Sequence, residues 1–178
     1  DSNVIYVGGG EVTVRGNVSS GYGVWKTVDA GKTWSFSGLP KSRHIPRIVI
    51  HPSNPEIVYA AVLGNIYKPT SERGVYKSID GGKNWKKVIF LNADSGAFEL
   101  VMDPSNSRHL YASTWRLNRT PYSLNSGGEG SALWKSTDEG KTWKEISLSD
   151  GFAKGTLGVI GVTVSPLNSQ RVWAIVEN

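Results

Sequence analysis

The long polar loops of this 178-residue chain hold the residue types that bind or cleave polar ligands. Arg15, Arg43, Arg73, Arg116 and Arg119 offer guanidinium forks suited to carboxylate, sulfate or phosphate, and Lys41, His44 and Lys154 add further cationic or protonatable groups. Tyr67 and Tyr122 could stack on a sugar ring or a peptide side chain. Glu11, Glu72 and Glu129 are the candidate catalytic carboxylates, with Asp94 and Asp150 nearby in the same class of loop. Glycoside hydrolysis needs two such groups at a set separation, which a sequence does not supply. The competing reading is that loop Arg and Glu side chains pair with one another and only hold the loops. His44, His51 and His109 have no G-x-S-x-G context, so a nucleophile-elbow hydrolase is not indicated.

A second set of polar residues recurs. Thr27/Asp29/Gly31/Thr33/Trp34, Ser78/Asp80/Gly82/Asn84/Trp85 and Ser136/Asp138/Gly140/Thr142/Trp143 share one frame. Each follows a strand-like run and precedes another, so each reads as a tight corner, here called a box turn. The Asp and Ser/Thr side chains can bond the turn's own N–H groups, and the Gly can take positive φ. Trp34, Trp85 and Trp143 are expected as apolar plugs between strands. Oxygen ligands are too sparse for a calcium loop, so no metal is expected, and no cofactor motif occurs.

The elements that must position these residues also repeat. "IVIHPSNPEIVYAAV", "LVMDPSNSRHLYAST" and "VTVSPLNSQRVWAIV" recur in step with the box turns, and the second half of the element opens the chain as "NVIYV". Each unit reads as four short strands with turn residues between them, the pattern of β-propeller blades. The expectation is an all-β, antiparallel chain: one partial propeller domain over 1–178, with blade-like units 1–38, 45–91, 97–149 and 158–178. Thirteen strands are expected, three, four, four and two in turn. Three full-sized units are too few to close a ring, so the remaining blades are expected outside this chain. Exposed edges near Val4–Val7 and Arg171–Val176 are expected to favour self-association. Box turns and "HPSNP"-type turns fall on one rim; the long loops bearing the candidate residues fall on the other, where function usually sits.

Composition narrows the classes further. The chain has no cysteine, which excludes disulfides and thiolate chemistry. No apolar run is long enough to span a membrane. The net charge of +5 reads as a wet surface, with many Lys beside the box turns; no basic run alternates with aromatics, so nucleic acid is not expected as a partner.

The three box turns resemble the Asp-box, or bacterial neuraminidase repeat; only Asn84, standing in place of Thr, departs from it. The "PSNP…VYA" element looks like sortilin-type propellers and their bacterial relatives, and like propellers of xyloglucan-cleaving glycosidases. The resemblance implies a secreted, periplasmic or cell-surface binding or scaffold module for glycan or peptide ligands. The alternative it implies is part of a sialidase- or xyloglucanase-like glycoside hydrolase with catalytic carboxylates partly outside the segment. It also implies that the box turns lie on the rim away from the ligand. Sialidases carry a Phe/Tyr-Arg-Ile-Pro element, and "HIPRI" at 44–48 only echoes it; xyloglucanases carry an Asp after the strand matching "IVYAAV", and Ala61–Val62–Leu63–Gly64 has no acid there.

Overall fold

The computed structural model describes residues 2–178, and these residues contain fourteen strands and no helix. They form four antiparallel sheets, in chain order. The first is β1 (Ile5–Gly8), β2 (Val24–Thr27) and β3 (Ser35–Phe36); the second is β4 (Arg47–Ile50), β5 (Val58–Val62), β6 (Gly74–Ser78) and β7 (Lys86–Ile89). The third holds β8 (Ser95–Asp103), β9 (Asn106–Arg119), β10 (Leu124–Ser126), β11 (Ala132–Ser136) and β12 (Lys144–Glu145), and the fourth β13 (Ile160–Val164) and β14 (Val172–Val176). Each sheet is a simple meander in which sequential strands pair, apart from β10.

The extra strand corrects the expectation of thirteen. The sequence predicts a loop for "RLNRTPYSLNSGGEG", but its start continues β9, which turns at Thr120–Ser123 and pairs back through β10. The cause is alternation beyond the expected strand end. Trp115 and Leu117 are both buried on the loop rim with Leu63, Ile66 and Val18, which draws the strand onward.

Three core clusters lie between successive sheets. Val24, Ile45, Ala60 and Val62 pack between the first and second. Tyr59, Ala61, Val75, Ile89, Leu100 and Leu110 fill the space between the second and third, and Tyr111, Leu133, Ile160, Val162 and Val164 that between the third and fourth. Because side chains alternate along a strand, β5 sends Ala60 and Val62 one way and Tyr59 and Ala61 the other. A strand covered on both faces needs an apolar residue at every position, and all five residues of β5 are buried. Close stacking also explains Gly96 on β8, where a Cβ would lie 2.3 Å from the Leu63 carbonyl oxygen.

Each box turn is a closed hydrogen-bond unit. In the second, Ser78 Oγ donates to Asp80 Oδ1 (2.8 Å) and accepts from Gly82 N–H (2.9 Å), while Asn84 donates its backbone N–H to Oδ1 and its amide to Oδ2 (2.9 and 2.7 Å). The Thr27 and Ser136 turns repeat these bonds. Gly31, Gly82 and Gly140 have φ of 90°, 87° and 73°; the residues before them, Ala30, Gly81 and Glu139, are also left-handed.

The box tryptophans correct a second expectation, because Trp34, Trp85 and Trp143 do not plug the space between strands. Each ring folds back on its own turn: Trp34 Nε1 donates to the Gly31 carbonyl (3.1 Å), Trp85 Nε1 to that of Gly82 (3.1 Å) and Trp143 Nε1 to that of Gly140 (3.2 Å); Trp85 Nε1 also donates across to the Ser37 carbonyl just after β3 (2.7 Å). An indole N–H needs an acceptor, and the turn offers one three residues back, so the ring covers the corner instead of entering a sheet. Trp34 is 41% exposed and packs in none of the core clusters. Trp85 and Trp143 are half-buried, and they rest on the outside of the clusters between the first and second and between the second and third sheets.

The turn bonds favour the ionised carboxylate. Thr27 and Thr33 hold Asp29, and Asn84 and Ser78 hold Asp80, down to about 2 from the ordinary 3.8; Thr142 and Ser136 lower Asp138 as well. Between these values the unfolded chain binds more protons than the folded one, so stability falls as pH falls. The boxes' contribution should be complete above pH 3.8 and lost as pH drops toward 2. Carboxyl chemical-shift titration should show depressed midpoints for Asp29 and Asp80, and Asp80→Asn should flatten the acid limb of stability. Midpoints at the ordinary value would contradict this.

Candidate functional site

The meander divides the turns between two rims. On one, box turns meet the turn after β4 and the start of β9: Gly81 N–H donates to the Glu56 carbonyl and Glu139 N–H to that of Arg108, at 2.9 and 3.0 Å. On the other, the long loops bind one another: Gly21 N–H to Arg43 O, Thr70 N–H to Ala93 O and Arg119 N–H to Ile66 O.

The structure sorts the candidate residues into three groups. Several hold the loops together. Arg73 is 1% exposed, and its guanidinium donates to the carbonyls of Asp94 (2.7 Å), Asn65 (2.6 Å) and Leu117 (3.1 Å). Burial holds that guanidinium down to about 10, so it is still charged at neutral pH. His44 is fully buried; its Nδ1–H donates to the Glu11 carbonyl at 2.8 Å, and burial lowers its pKa and keeps it neutral. Neither side chain is available to a ligand, contrary to the reading of both as rim groups. Arg15 pairs with Glu11 at 2.7 Å, and the same carboxylate accepts the Ser19 N–H. Tyr67 Oη accepts from Val18 N–H and donates to Val18 O, and Arg119 donates to the carbonyls of Arg15 and Ser123.

A second group stands alone. Arg116 lines a small cavity of ≈ 370 Å³ with Asp94, Asn118 and Asn125. Tyr122, 91% exposed, tips the β9–β10 hairpin, and Glu129 is exposed in the loop that follows.

The third group forms a basin of ≈ 590 Å³ between the first and second sheets, lined by Tyr22, Lys41, Arg43, Lys68, Ser71 and Glu72 among others. Lys41, Arg43, Lys68 and Tyr22 are exposed, and none of the three cations makes an ion pair among the described residues. Glu72 is engaged by the hydroxyls of Thr70 and Ser71; the Thr70 bond holds its pKa below the ordinary value. The loop bearing Lys41 and Arg43 is strained: Leu39 and Arg43 have φ of 55° and 62°, a region costly for residues with a Cβ. Lys68 and Tyr22 are absent from the sequence candidates. The only signals are a bulky aromatic between two glycines, Gly21 and Gly23, and a Lys fixed by a following Pro69.

A cleft of ≈ 560 Å³ on the box rim, lined by Lys77, Asp80, Trp85, Lys141 and others, competes with the basin. Two of its polar groups are already committed, Asp80 to its own turn and Lys77 Nζ to the Glu139 carbonyl at 2.8 Å, while Lys86 and Lys141 make no side-chain hydrogen bond or ion pair among the described residues. The basin is preferred because it is built from the long loops of the opposite rim, where function usually sits. No group of three or more His, Asp or Glu that could hold a metal occurs among the described residues.

Comparison with known proteins agrees with this architecture. A xyloglucanase of Hypocrea jecorina (strain QM6a) is 26% identical over 174 residues, covering 85% of this chain and 20% of the relative. The solved GH74 enzyme of Niastella koreensis superposes with a TM-score of 0.64 at 20% identity, over 97% of this chain and 23% of its own. The GH74 xyloglucanase of Xanthomonas campestris does so with a TM-score of 0.67 at 21% identity, over 97% and 24%. The chain thus spans about a fifth to a quarter of the length of these relatives, and the solved structures establish its fold as that of a propeller segment. Residues 22–152, well over half of the chain, match the model of the Sortilin-Vps10 family (sortilin, neurotensin receptor 3), and the chain belongs to that family.

Proposed function

We propose that this chain is a binding and scaffold segment of a larger extracytoplasmic propeller, holding an anionic glycan or acidic peptide segment in the Lys41–Arg43–Lys68 basin. The observation that carries the reading is a concave, loop-built site whose three cations make no direct ion pair among the described residues and outnumber the basin's one carboxylate, Glu72, which Lys41 stabilises. Three cations against one carboxylate leave a net positive potential that an acidic ligand neutralises. Tyr22 and Ser71 add a ring face and a hydroxyl.

The xyloglucanase relative favours a second reading, in which the whole protein is a glycoside hydrolase with its carboxylates partly elsewhere. The carboxylates here give that reading little support. A general acid needs a raised pKa, and Glu72 is held low. Glu11 is tied to Arg15 and Ser19, and Glu129 lies outside the basin.

A glycan and peptide array, followed by a reducing-sugar assay on each hit, tests the choice. Binding to acidic probes without sugar release is expected. Release that disappears in Glu11→Gln, Glu72→Gln or Glu129→Gln would establish the hydrolase instead.

A further inference from the structure

Successive sheets meet differently at their corners on the box rim. Between the first and second sheets the corner is stitched shut. Ser37, three positions after Trp34, donates its hydroxyl to the Gly82 carbonyl of the second box turn (2.9 Å), and its own carbonyl accepts from Trp85 Nε1 (2.7 Å). The approach is tight: a Cβ on Gly82 would lie 2.4 Å from Ser37 Oγ, and one on Gly38 would lie 2.8 Å from the Trp85 ring. Between the second and third sheets, Val88 stands three positions after Trp85. Valine has no hydroxyl to donate, and neither bond recurs. Among the described residues Trp143 Nε1 donates to its own Gly140 carbonyl alone (3.2 Å).

The unstitched corner is the box-rim cleft of ≈ 560 Å³. Its apolar lining is Val88, Trp85 and Ile79, and Ile79 is 73% exposed. Its charged lining is four lysines and Asp80, and three of these five groups are occupied. Both oxygens of Asp80 accept bonds within its own turn, Lys77 Nζ holds the Glu139 carbonyl, and Lys87 Nζ holds the Ser71 carbonyl. Lys86 and Lys141 are exposed and make no side-chain hydrogen bond or ion pair among the described residues. Lys86 lies directly across the strand pair from Lys77, where like charges repel. Lys135 and Lys144 repeat that pair in the third sheet, so the pair alone marks no site. What marks this one is the missing stitch and a third ammonium, Lys141, on the facing box turn. Burial foremost, with Lys141 adding to it, holds the Lys77 pKa below its ordinary value.

We infer that the cleft between the second and third sheets is a second binding site, and that its ligand is a peptide segment carrying an apolar side chain next to a carboxylate. The charged groups left free are ammonium donors, so the ligand must bring the anion. A hydroxyl-rich glycan also needs acceptors for its own O–H groups, and the one carboxylate at hand is fully engaged. Ile79, Val88 and the half-buried Trp85 ring present apolar surface that a bare sulfate or phosphate leaves in water. A leucine-like side chain covers that surface, and removing it from water favours binding. An adjacent glutamate neutralises Lys86 and Lys141 and offsets their repulsion with Lys77. The cleft shares no lining residue with the basin on the opposite rim, so neither reading rests on the other.

The probe is a fluorescent peptide with one leucine between two glutamates. It is titrated by anisotropy against the Lys41→Ala/Arg43→Ala/Lys68→Ala protein, so that the basin adds nothing to the signal. Saturable binding is expected. Adding Lys86→Met/Lys141→Met should weaken it by about threefold or more, the scale of two exposed charge contacts, with an unchanged circular dichroism spectrum. Ile79→Ser should weaken it by a similar factor. Lys32→Met, at the place on the first box turn that Lys141 takes on the third, should leave it unchanged. Equal binding by the Lys86→Met/Lys141→Met protein would overturn the inference. So would equal binding of a peptide with serine in place of the leucine, which would make the cleft a bare anion surface. Absence of saturable peptide binding would also overturn it, whether or not a sulfated disaccharide or phosphatidylserine vesicles bind instead.

Discussion

Arg73→Ala should cost the fold roughly 3 kcal/mol or more, because it strips donors from three carbonyls on the loop rim, and each lost bond to a charged group contributes about 1.5–3 kcal/mol. The three acceptors belong to different segments: Asn65 after β5, Asp94 before β8 and Leu117 late in β9. One planar fork therefore ties the second sheet to the third, beside the backbone bonds Thr70 N–H to Ala93 O and Arg119 N–H to Ile66 O. The site is also shaped around the side chain. Gly64, at φ 79°, presents its backbone to it so closely that a Cβ would fall 2.5 Å from Arg73 Cγ. Arg73→Lys should recover only part of the loss, since a single ammonium does not span three diverging carbonyls. Urea unfolding monitored by tryptophan fluorescence measures both effects. Against a total stability of about 5–15 kcal/mol, the alanine variant should be visibly marginal. A variant within about 0.5 kcal/mol of the parent protein, the range of an ordinary surface substitution, would show that Arg73 does not hold the rim.

The residues that repeat were legible in the sequence, and the residues that pair across the fold were not. Asp29, Asp80 and Asp138, with their Ser/Thr and Gly partners, bond only within a few positions of themselves, so spacing alone announced a corner. The four strands of the second unit were legible because each is bounded by a turn signal. By contrast, Arg73 and His44 read as ligand groups because their acceptors are main-chain carbonyls, and a carbonyl carries no residue identity. Lys26 and Lys77 read as solvated charge for the same reason, although each donates to a box-turn carbonyl of the next sheet. Trp34, Trp85 and Trp143 were misplaced likewise: their size suggests a plug, but the Gly carbonyl that holds each ring is invisible in the residue types. Of the two left-handed residues in each turn, the second is always Gly, whereas the first is Ala30, Gly81 or Glu139, so only one of those three gave a compositional signal. β10 was hidden in a polar, Gly-rich stretch whose apolar anchors, Trp115 and Leu117, lie just before it.

The second large effect concerns binding. Lys41, Arg43 and Lys68 come from two loops, after β3 and after β5, and converge only because the first and second sheets stack face to face. All three are exposed, so each contact to an anion is worth a modest amount, about 0.2–1 kcal/mol. Together they should contribute roughly 1–3 kcal/mol, or about five- to a hundredfold in affinity. The Lys41→Ala/Arg43→Ala/Lys68→Ala variant should therefore lose most of its affinity for an acidic ligand while unfolding like the parent, since none of the three side chains holds another loop by a hydrogen bond or ion pair among the described residues. That separates the basin from Arg73, whose removal should act on stability first.

The most direct measurement is isothermal titration of the protein and of this triple variant with an oligogalacturonate, a polyglutamate peptide and a neutral xyloglucan oligosaccharide, each at low and high salt. The basin account predicts binding of at least one acidic probe that weakens with salt, as exposed charge contacts are screened, and that falls by about fivefold or more in the triple variant. Salt-insensitive binding of the neutral oligosaccharide, equal in both proteins, with no affinity for either acidic probe, would contradict it.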